Sequence, residues 1–393
     1  MVTAIGEQSV NMKLQIKVVF LVHNIATWDC LHDVYTEMVR DPDFEPLVVS
    51  IPRHFPGVEA FGHEEETFQA LRAVGIEPLR FNDPDSFKDL EHLKALAPDI
   101  IFRQSHWEGD VPPAFRTKQI SFARLCYVPY GIMGMVSDKN CKHHKSGFHE
   151  ACWKIFLANK VEYVEVAKGR SQGKVGCHIV GHPSIEAVLR AQPSWPIENP
   201  AGQRNYRVIW AAHHSIWGTW LRYGTFPYVH KSMLAWATAS QDIDFVFRPH
   251  PALLSMLEPL KISTSQLEID AFFEAWNALP NTYVSHEEVY ASLFAASDLL
   301  ITDGIGFLLE YQLCRKPILF FARQDREPLM PGADIIERGV HMVGNVQQAV
   351  RMTLAFKHGL SDRLRHEQDL VCDTLLRSRQ SAQAIVQRIK QDF

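Results

Sequence analysis

The sequence contains no Cys-x-x-Cys pair, and its seven cysteines, Cys30, Cys126, Cys141, Cys152, Cys177, Cys314 and Cys372, are odd in number. Both features speak against a disulfide framework and a cysteine-built zinc site, so free thiols in a reducing compartment are expected. No apolar run approaches the ~20 residues that span a bilayer. Residues 1–12 lack the apolar stretch of a secretory signal. A cytoplasmic location is expected, with peripheral contact at the inner membrane face left open. Basic residues are not in excess: 40 Lys and Arg stand against 45 Asp and Glu, for a formal net charge of -5. A nucleic-acid partner is not expected, because such proteins usually carry a basic footprint. There is no low-complexity tract and no sequence repeat. At 46% hydrophobic and 22% charged residues, the chain reads as an ordered globular protein.

What the 393 residues do contain is strand and helix in alternation, over a length suited to more than one core. Ile16-Lys17-Val18-Val19-Phe20-Leu21-Val22 is short, apolar and β-branched, the pattern of a buried parallel strand. The next six residues turn into a helix over Asp29–Arg40, with Leu31, Val34, Tyr35 and Met38 on one face. Further strands are expected at 46–51, 77–81, 99–102 and 123–127, with helices at 61–74 and 87–96 between them. The pattern restarts beyond a Pro- and Asn-bearing linker at 193–205. Strands are expected at 207–211, 244–248, 298–302 and 317–321, and helices at 226–239, 289–296 and 307–313. This is the signature of a doubly wound α/β fold. Two such halves, residues 13–190 and 205–350, place a small-ligand site in the cleft between them. Residues 351–393 read as a helical tail able to pack back on the first half.

The most informative segment is Ser297-Asp298-Leu299-Leu300-Ile301-Thr302-Asp303-Gly304-Ile305-Gly306-Phe307-Leu308-Leu309-Glu310. A buried strand ends at Thr302, glycines admit close approach to a ligand, and a helix start attracts phosphate. Glu310, a turn into that helix, is placed to reach a ribose hydroxyl pair. The plain alternative is a strand-to-helix turn with Asp303 as its cap. Phe247-Arg248-Pro249-His250-Pro251 follows another strand. There Arg248 suits phosphate neutralisation and His250 suits hydrogen bonding or acid catalysis, on a turn stiffened by proline. Past a third strand, Trp210-Ala211-Ala212-His213-His214-Ser215-Ile216 carries adjacent histidines. Neighbours on an extended segment point to opposite faces, so one of the pair is expected to face the cleft, and no metal is assigned. Lys139-Asn140-Cys141-Lys142-His143-His144-Lys145 reads as a solvated basic loop. Asp41-Pro42-Asp43 and Asp83-Pro84-Asp85 read as turns and not as metal motifs.

The C-terminal half resembles the CDP-glycerol glycerophosphotransferase family, the teichoic-acid and capsule polymerases and their relatives. The matching pieces are 210–216, 247–251, Phe272-Phe273-Glu274-Ala275-Trp276, Leu279-Pro280-Asn281-Thr282 and 297–321, including Glu310-Tyr311 and Lys316-Pro317-Ile318. The resemblance implies a glycosyltransferase B-type fold, two Rossmann-like domains with the nucleotide on the second. It further implies attack by an acceptor hydroxyl on the β-phosphate of a CDP-activated donor, with no metal or other cofactor needed in principle. Carried across, Arg248 and His250 match the Arg-x-His-Pro position at the donor phosphates. Thr302, Asp303, Gly304, Ile305 and Gly306 match the phosphate-binding turn, with His213 and Ser215 also on the donor side. The acceptor would be a polymer or lipid-linked hydroxyl.

Two departures stand out. The family turn carries hydroxyls where this chain has Gly304-Ile305-Gly306. Pro129-Tyr130-Gly131 stands where the polymerases carry Trp-His-Gly, and a tyrosine is a poor base near neutral pH, with an ordinary pKa of about 10. The base is then His23, at the end of the first strand, or one of His213 and His214. Two alternatives are kept: a UDP-sugar 2-epimerase, and a nucleotide- or polymer-binding module without turnover.

Overall fold

β1 (Ile16–Val22) is buried along nearly its whole length, as its unbroken apolar run requires of a strand covered on both faces. In the computed structural model, which describes residues 15–54, 60–132, 136, 147–199, 202–216, 221–257, 266–285, 290–376 and 380–393, it belongs to a seven-stranded sheet. Residues 1–12, the basic segment 139–145 with Cys141, and Val289 lie outside the described residues.

The first sheet comprises β1, β2 (Phe44–Ser50), β3 (Leu79–Arg80), β4 (Ile100–Arg103), β5 (Arg124–Tyr127), β6 (Cys152–Leu157) and β7 (Cys177–Ile179). Its order is β3-β2-β1-β4-β5-β6-β7, and all its ladders are parallel. Helices α1 (Asp29–Arg40), α2 (Glu64–Ala73), α3 (Ser86–Ala95), α4 (Gly147–Ala151) and α5 (Lys160–Gly169) connect its strands. α6 (Pro183–Arg190) leads out of it.

The second sheet comprises β8 (Tyr206–Ala212), β9 (Ile243–Pro249), β10 (Thr282–Val284), β11 (Leu299–Thr302), β12 (Ile318–Phe321) and β13 (His341–Val343). It runs β10-β9-β8-β11-β12-β13, again parallel throughout. Its connections include α7 (Phe226–Ala239), α8 (Leu253–Leu257), α9 (Gln266–Ala278), α10 (Ala291–Ala296) and α11 (Gly306–Gln312). Alternate residues of β8 enter different cores. Val208, Trp210 and Ala212 join one cluster with Phe226, Phe247, Phe272 and Trp276, while Ile209 and Ala211 join the other. Trp210 lies at the centre of the first cluster, with ring centroids 4.3 Å from Phe247 and 5.6 Å from Trp276. The doubly wound α/β architecture is thus present twice, with a strand-order reversal between β1 and β4 and another between β8 and β11.

Four strands escape the sequence pattern, for physical reasons. β7, β10 and β13 have three residues each and lie at sheet edges, where an apolar run is not needed. In β6, Lys154 interrupts the run. Its ammonium is buried and pairs with Asp392.

The tail does not behave as one piece. The boundary at 350/351 falls inside α12 (Val346–Lys357), which covers the second sheet through Val346, Ala349 and Phe356. α13 (Arg365–Leu375) packs there too, with Val371 and Leu375 buried. Only α14 (Ser381–Asp392) returns to the first sheet, where Ile385, Val386 and Ile389 share a core with Val18, Phe20 and Leu31. Lys390 seals that contact on Asp41 and Asp43. Asp41 also accepts the Asp43 N–H at 3.0 Å, and Asp83 the Asp85 N–H at 2.9 Å, so both Asp-Pro-Asp segments are turns. The six described cysteines are free thiols. Among the described residues no helix is long and apolar enough to cross a membrane.

Candidate functional site

The ends of β8, β9 and β11 bring together the segments singled out from the sequence. His213 is the first residue past β8, His250 the first past β9, and Asp303 the first past β11. The three imidazoles of His213, His214 and His250 gather ring to ring: centroids are 4.4 Å apart for His213 and His214, 4.0 Å for His214 and His250, and 5.5 Å for His213 and His250. The expectation that the adjacent pair would diverge fails because β8 has already ended. Residues past Ala212 turn, with the Ile216 N–H donating to His214 O at 3.0 Å, so strand alternation does not apply.

Hydrogen bonds set the state of these rings. Nδ1 of His213 accepts the Ser215 N–H at 3.2 Å, with Ser215 Oγ at 2.7 Å, and Nδ1 of His250 accepts the Ala252 N–H at 3.1 Å. In each neutral ring the proton therefore sits on Nε2. Burial, reinforced by the neighbouring imidazole, holds His213 well below the ordinary histidine range. Burial alone lowers His214 to about 4. His250 lies on the cleft floor, open to solvent on one side yet crowded below. Desolvation first, then His214, His213 and Arg53, hold it well below its ordinary value. Near pH 7 the cluster is uncharged, offering N–H donors and not cations. No group of three or more His, Cys, Asp or Glu among the described residues is arranged to hold a metal ion.

Asp303 is not the cap of α11. Its carboxylate is buried and accepts the His213 N–H at 2.6 Å together with the N–H and hydroxyl of Thr225. Desolvation raises its pKa to about 6. Asp303 therefore fastens the turn, and Ser215 does the same for His213 while its own oxygen accepts the Tyr223 N–H at 3.0 Å. Thr302 Oγ1 takes the Gly304 N–H at 3.1 Å. Gly304 is pressed close to His213: a Cβ there would lie 3.1 Å from its ring. Gly306, by contrast, faces open space as the first residue of α11, where the leading helical N–H groups have no partner within the helix.

Arg248 extends from β9, donates to Ser285 Oγ at 3.1 Å, and lies over the rings of Tyr290 and Phe307 at 5.6 and 5.9 Å. Glu310 points the other way, into the seam between the domains. One oxygen accepts Ser184 Oγ at 3.2 Å and the other the Tyr290 hydroxyl, so a ribose diol would have to replace one of these groups. Burial lifts the Glu310 carboxyl to about 7. Ser184 Oγ is also 2.7 Å from His182 Nδ1, whose Nε2 donates to the Pro129 carbonyl at 2.7 Å, beside Tyr130. α11 is thus wired to the first-sheet loop that carries Tyr130.

The first sheet supplies the facing wall from its own reversal point. His23 follows β1, and its N–H and that of Asn24 donate to Gln104 Oε1 at 2.9 and 3.0 Å. The His23 imidazole is buried, with Nδ1 without a hydrogen-bond partner. Desolvation, then Arg53 and Arg103, keep it neutral. Tyr130 accepts the Trp107 indole N–H at 3.3 Å, and burial raises its pKa further, so it stays protonated. Arg53 lies three residues past β2. Its charge acts on His23, Tyr130 and Asp110 in this domain and on His250 in the other. Arg53 was legible only as a basic residue just past a strand. Gln104, Thr225, Ser184 and Tyr290 carry no signal in sequence. A groove of about 520 Å³ between β7 and α14, lined by Tyr163, His178, Gln387 and Arg388 among others, shares no residue with this site.

No protein-family model and no curated protein sequence matches the chain. Solved structures do. The S. aureus MnaA–UDP co-structure matches with a TM-score of 0.63 at 13% identity, covering 96% of each chain. A putative UDP-N-acetylglucosamine 2-epimerase from Listeria monocytogenes matches at 0.61 and 14% identity, covering 96% of this chain and 97% of its own. The wall teichoic acid polymerase TagF matches at 0.59 and 11% identity, over 96% of this chain and 89% of its own. The architecture these likenesses define is the glycosyltransferase B-type fold: two Rossmann-like domains facing one cleft.

Proposed function

We propose that this chain is an enzyme acting on a nucleotide-activated substrate, and that it transfers a glycerophosphate, polyol-phosphate or sugar group from a CDP-glycerol-like donor to a hydroxyl acceptor. The observation that carries this reading is the convergence of Arg248, His250, His213 and the Gly304–Gly306 turn at the ends of three adjacent parallel strands, opposite His23 and Tyr130. Arg248 would neutralise the donor phosphates, the Nε2–H groups of His213 and His250 would hydrogen-bond them, and the N–H groups at the glycine turn would complete the cradle. The acceptor oxygen attacks the β-phosphorus, the bond from that phosphorus to the bridging oxygen breaks, and CMP departs with the electron pair. The acceptor proton would pass to His23, whose Nδ1 has no hydrogen-bond partner; burial, Arg53 and Arg103 disfavour the imidazolium in the free chain, and the donor's phosphate charge would offset the two arginines. Tyr130 then serves as a hydrogen-bond donor and not as the base. The scheme requires no metal ion. The acceptor of this reading is a polymer or lipid-linked hydroxyl, met at the membrane face.

A 2-epimerase acting on a UDP-sugar is the second reading. It is supported by the match in length and topology to several UDP-N-acetylglucosamine 2-epimerases, including one from Neisseria meningitidis covered over 100% of its chain at a TM-score of 0.60. One experiment separates the readings: incubation with CDP-glycerol or UDP-N-acetylglucosamine, with and without hydroxyl acceptors. Acceptor-dependent release of CMP or UDP, abolished in Arg248→Ala and His250→Ala, supports transfer. Acceptor-free conversion of the UDP-sugar supports epimerisation. Tight binding with no turnover supports a binding module. If no nucleotide binds, both enzymatic readings and the nucleotide-binding module fall.

A further inference from the structure

The loop that follows β4 carries an indole that the fold pins in place and leaves in the open. Trp107 is 37% exposed. Its Nε1–H donates to the Tyr130 hydroxyl at 3.3 Å and its backbone N–H to Ser105 Oγ at 3.1 Å, so both its N–H groups are spent inside the protein. The His106 ring backs it, with centroids 4.3 Å apart at 36°, and His106 Nδ1 lies 3.0 Å from the hydroxyl of buried Tyr127. From the core side, buried Arg103 grips the same loop at the Ser105 carbonyl, 2.7 Å, and at Glu108, 3.1 Å. A lone exposed apolar side chain needs no explanation, but one fixed at its nitrogen, backbone and ring on a cleft wall is preorganised for a ligand.

The loop begins at Gln104, whose Oε1 accepts the N–H groups of His23 and Asn24 at 2.9 and 3.0 Å, so the indole stands three residues from the group that holds the His23 turn. Two polar atoms accompany it. The Tyr130 hydroxyl accepts from Trp107, and among the described residues its own proton meets no acceptor. Asp110 Oδ2 takes the Ser105 hydroxyl at 2.6 Å, while Oδ1 takes no hydrogen bond among the described residues. Residues 104–111 and 127–132 hold two carboxylates, Glu108 and Asp110, and no Lys or Arg. Arg53, whose charge acts on Tyr130, is opposed by Asp110.

We propose that Trp107, with Tyr130 and Asp110, forms an acceptor subsite for a neutral pyranose ring, so that the acceptor hydroxyl belongs to a sugar and not to a polyol-phosphate chain. This inference rests on the transfer reading above and names the chemistry of its acceptor. A pyranose presents a flat face of C–H groups edged by hydroxyls. The C–H face suits the electron-rich face of an indole, and the hydroxyls suit one donor, the Tyr130 proton, and one acceptor, Asp110 Oδ1. A polyol-phosphate chain carries an anion at each repeat and would meet carboxylates here where it needs cations.

The test is saturation-transfer NMR on the full chain, with and without CDP or UDP. Methyl β-glucopyranoside and methyl N-acetyl-β-glucosaminide are the neutral probes, and glycerophosphate is the charged one. Wild type should bind the glycosides, with saturation strongest on their axial ring protons, and should not bind glycerophosphate. Trp107→Ala should weaken the glycosides about tenfold or more, Trp107→Phe should restore most of that loss, and both variants should keep wild-type affinity for CDP and UDP. Wild type that binds no glycoside or prefers glycerophosphate, or Trp107→Ala that binds glycosides as wild type does, overturns the subsite and leaves the nucleotide reading standing. Failure of both CDP and UDP to bind wild type overturns the transfer reading and the acceptor role with it. Should Trp107→Ala fail to fold, the wild-type indole decides. The Trp107 Nε1–H resonance, assigned by its absence from Trp107→Phe, should shift on glycoside addition, and an unmoved resonance overturns the subsite.

Discussion

His23 and His213 occupy the same place in their two sheets. Each is the first residue past the strand on one side of the reversal point, and each donates its N–H to the side chain of the first residue past the strand on the other side. His23 donates to Gln104 Oε1 at 2.9 Å across β1 and β4, and His213 to Asp303 Oδ1 at 2.6 Å across β8 and β11. The reason is geometric. At a reversal point the connections leave in opposite directions, so the first N–H beyond the ladder has no strand partner, and an acceptor side chain from the adjacent strand end supplies one.

Replacing Asp303 by Asn should therefore loosen the floor of the cleft. The amide keeps one acceptor oxygen but turns its NH2 toward groups that are themselves donors, the His213 N–H on one side or Thr225 on the other. A loss of about 2–3 kcal/mol in stability is expected, with weaker nucleotide binding, measurable by urea unfolding and by titration. Unfolding at the wild-type midpoint would contradict this account.

Glu310 predicts a pH dependence. Its carboxyl, raised by burial from 4.5 to about 7, keeps its proton in the folded chain at pH values where the unfolded chain has lost it. Its contribution to stability is therefore fully present below about pH 4.5, falls as pH rises to about 7, and is level above. Glu310→Gln removes that slope. Relative to wild type the variant should gain on the order of 3 kcal/mol between pH 4.5 and pH 8. Denaturation midpoints at several pH values check it, and a gap that does not change with pH refutes it.

The two turn glycines should separate packing from binding. In Gly304→Ala the new methyl lies 3.1 Å from the His213 ring, which must shift by a few tenths of an ångström. In Gly306→Ala it meets nothing within 4 Å. Gly304→Ala should disturb the histidine cluster, visible in imidazole NMR shifts of the free protein. Gly306→Ala should leave those shifts and the melting temperature alone, and lower nucleotide affinity only.

α14 should hold the first domain through its apolar face and not through its charges. Ile385 and Ile389 are fully buried against the first-sheet core, so either, changed to Ala, should cost about 2–4 kcal/mol. Lys390 is exposed, and Lys390→Ala should cost less than about 1 kcal/mol despite its contacts with Asp41 and Asp43. Chemical denaturation of the three variants gives the comparison directly.

The pattern of apolar runs and turns was enough to read most of the buried strands of both sheets, because a parallel strand covered on both faces must be apolar throughout. It also marked Arg248, His250, His213 and the glycine turn as strand-end residues. Edge strands β7, β10 and β13 were silent, since a half-covered three-residue strand needs no distinctive composition. The family resemblance led to the same fold that the solved structures display.

Local pattern therefore carried the α/β class and the twofold organisation, both of which depend on which faces of an element must leave water. It did not carry the neutrality of the three histidines, the burial of Asp303 and Glu310, or the pairing of Gln104 with His23. Each of these joins residues far apart in the chain, and each depends on burial and on the field of neighbours that exist only once the two sheets have folded and face each other.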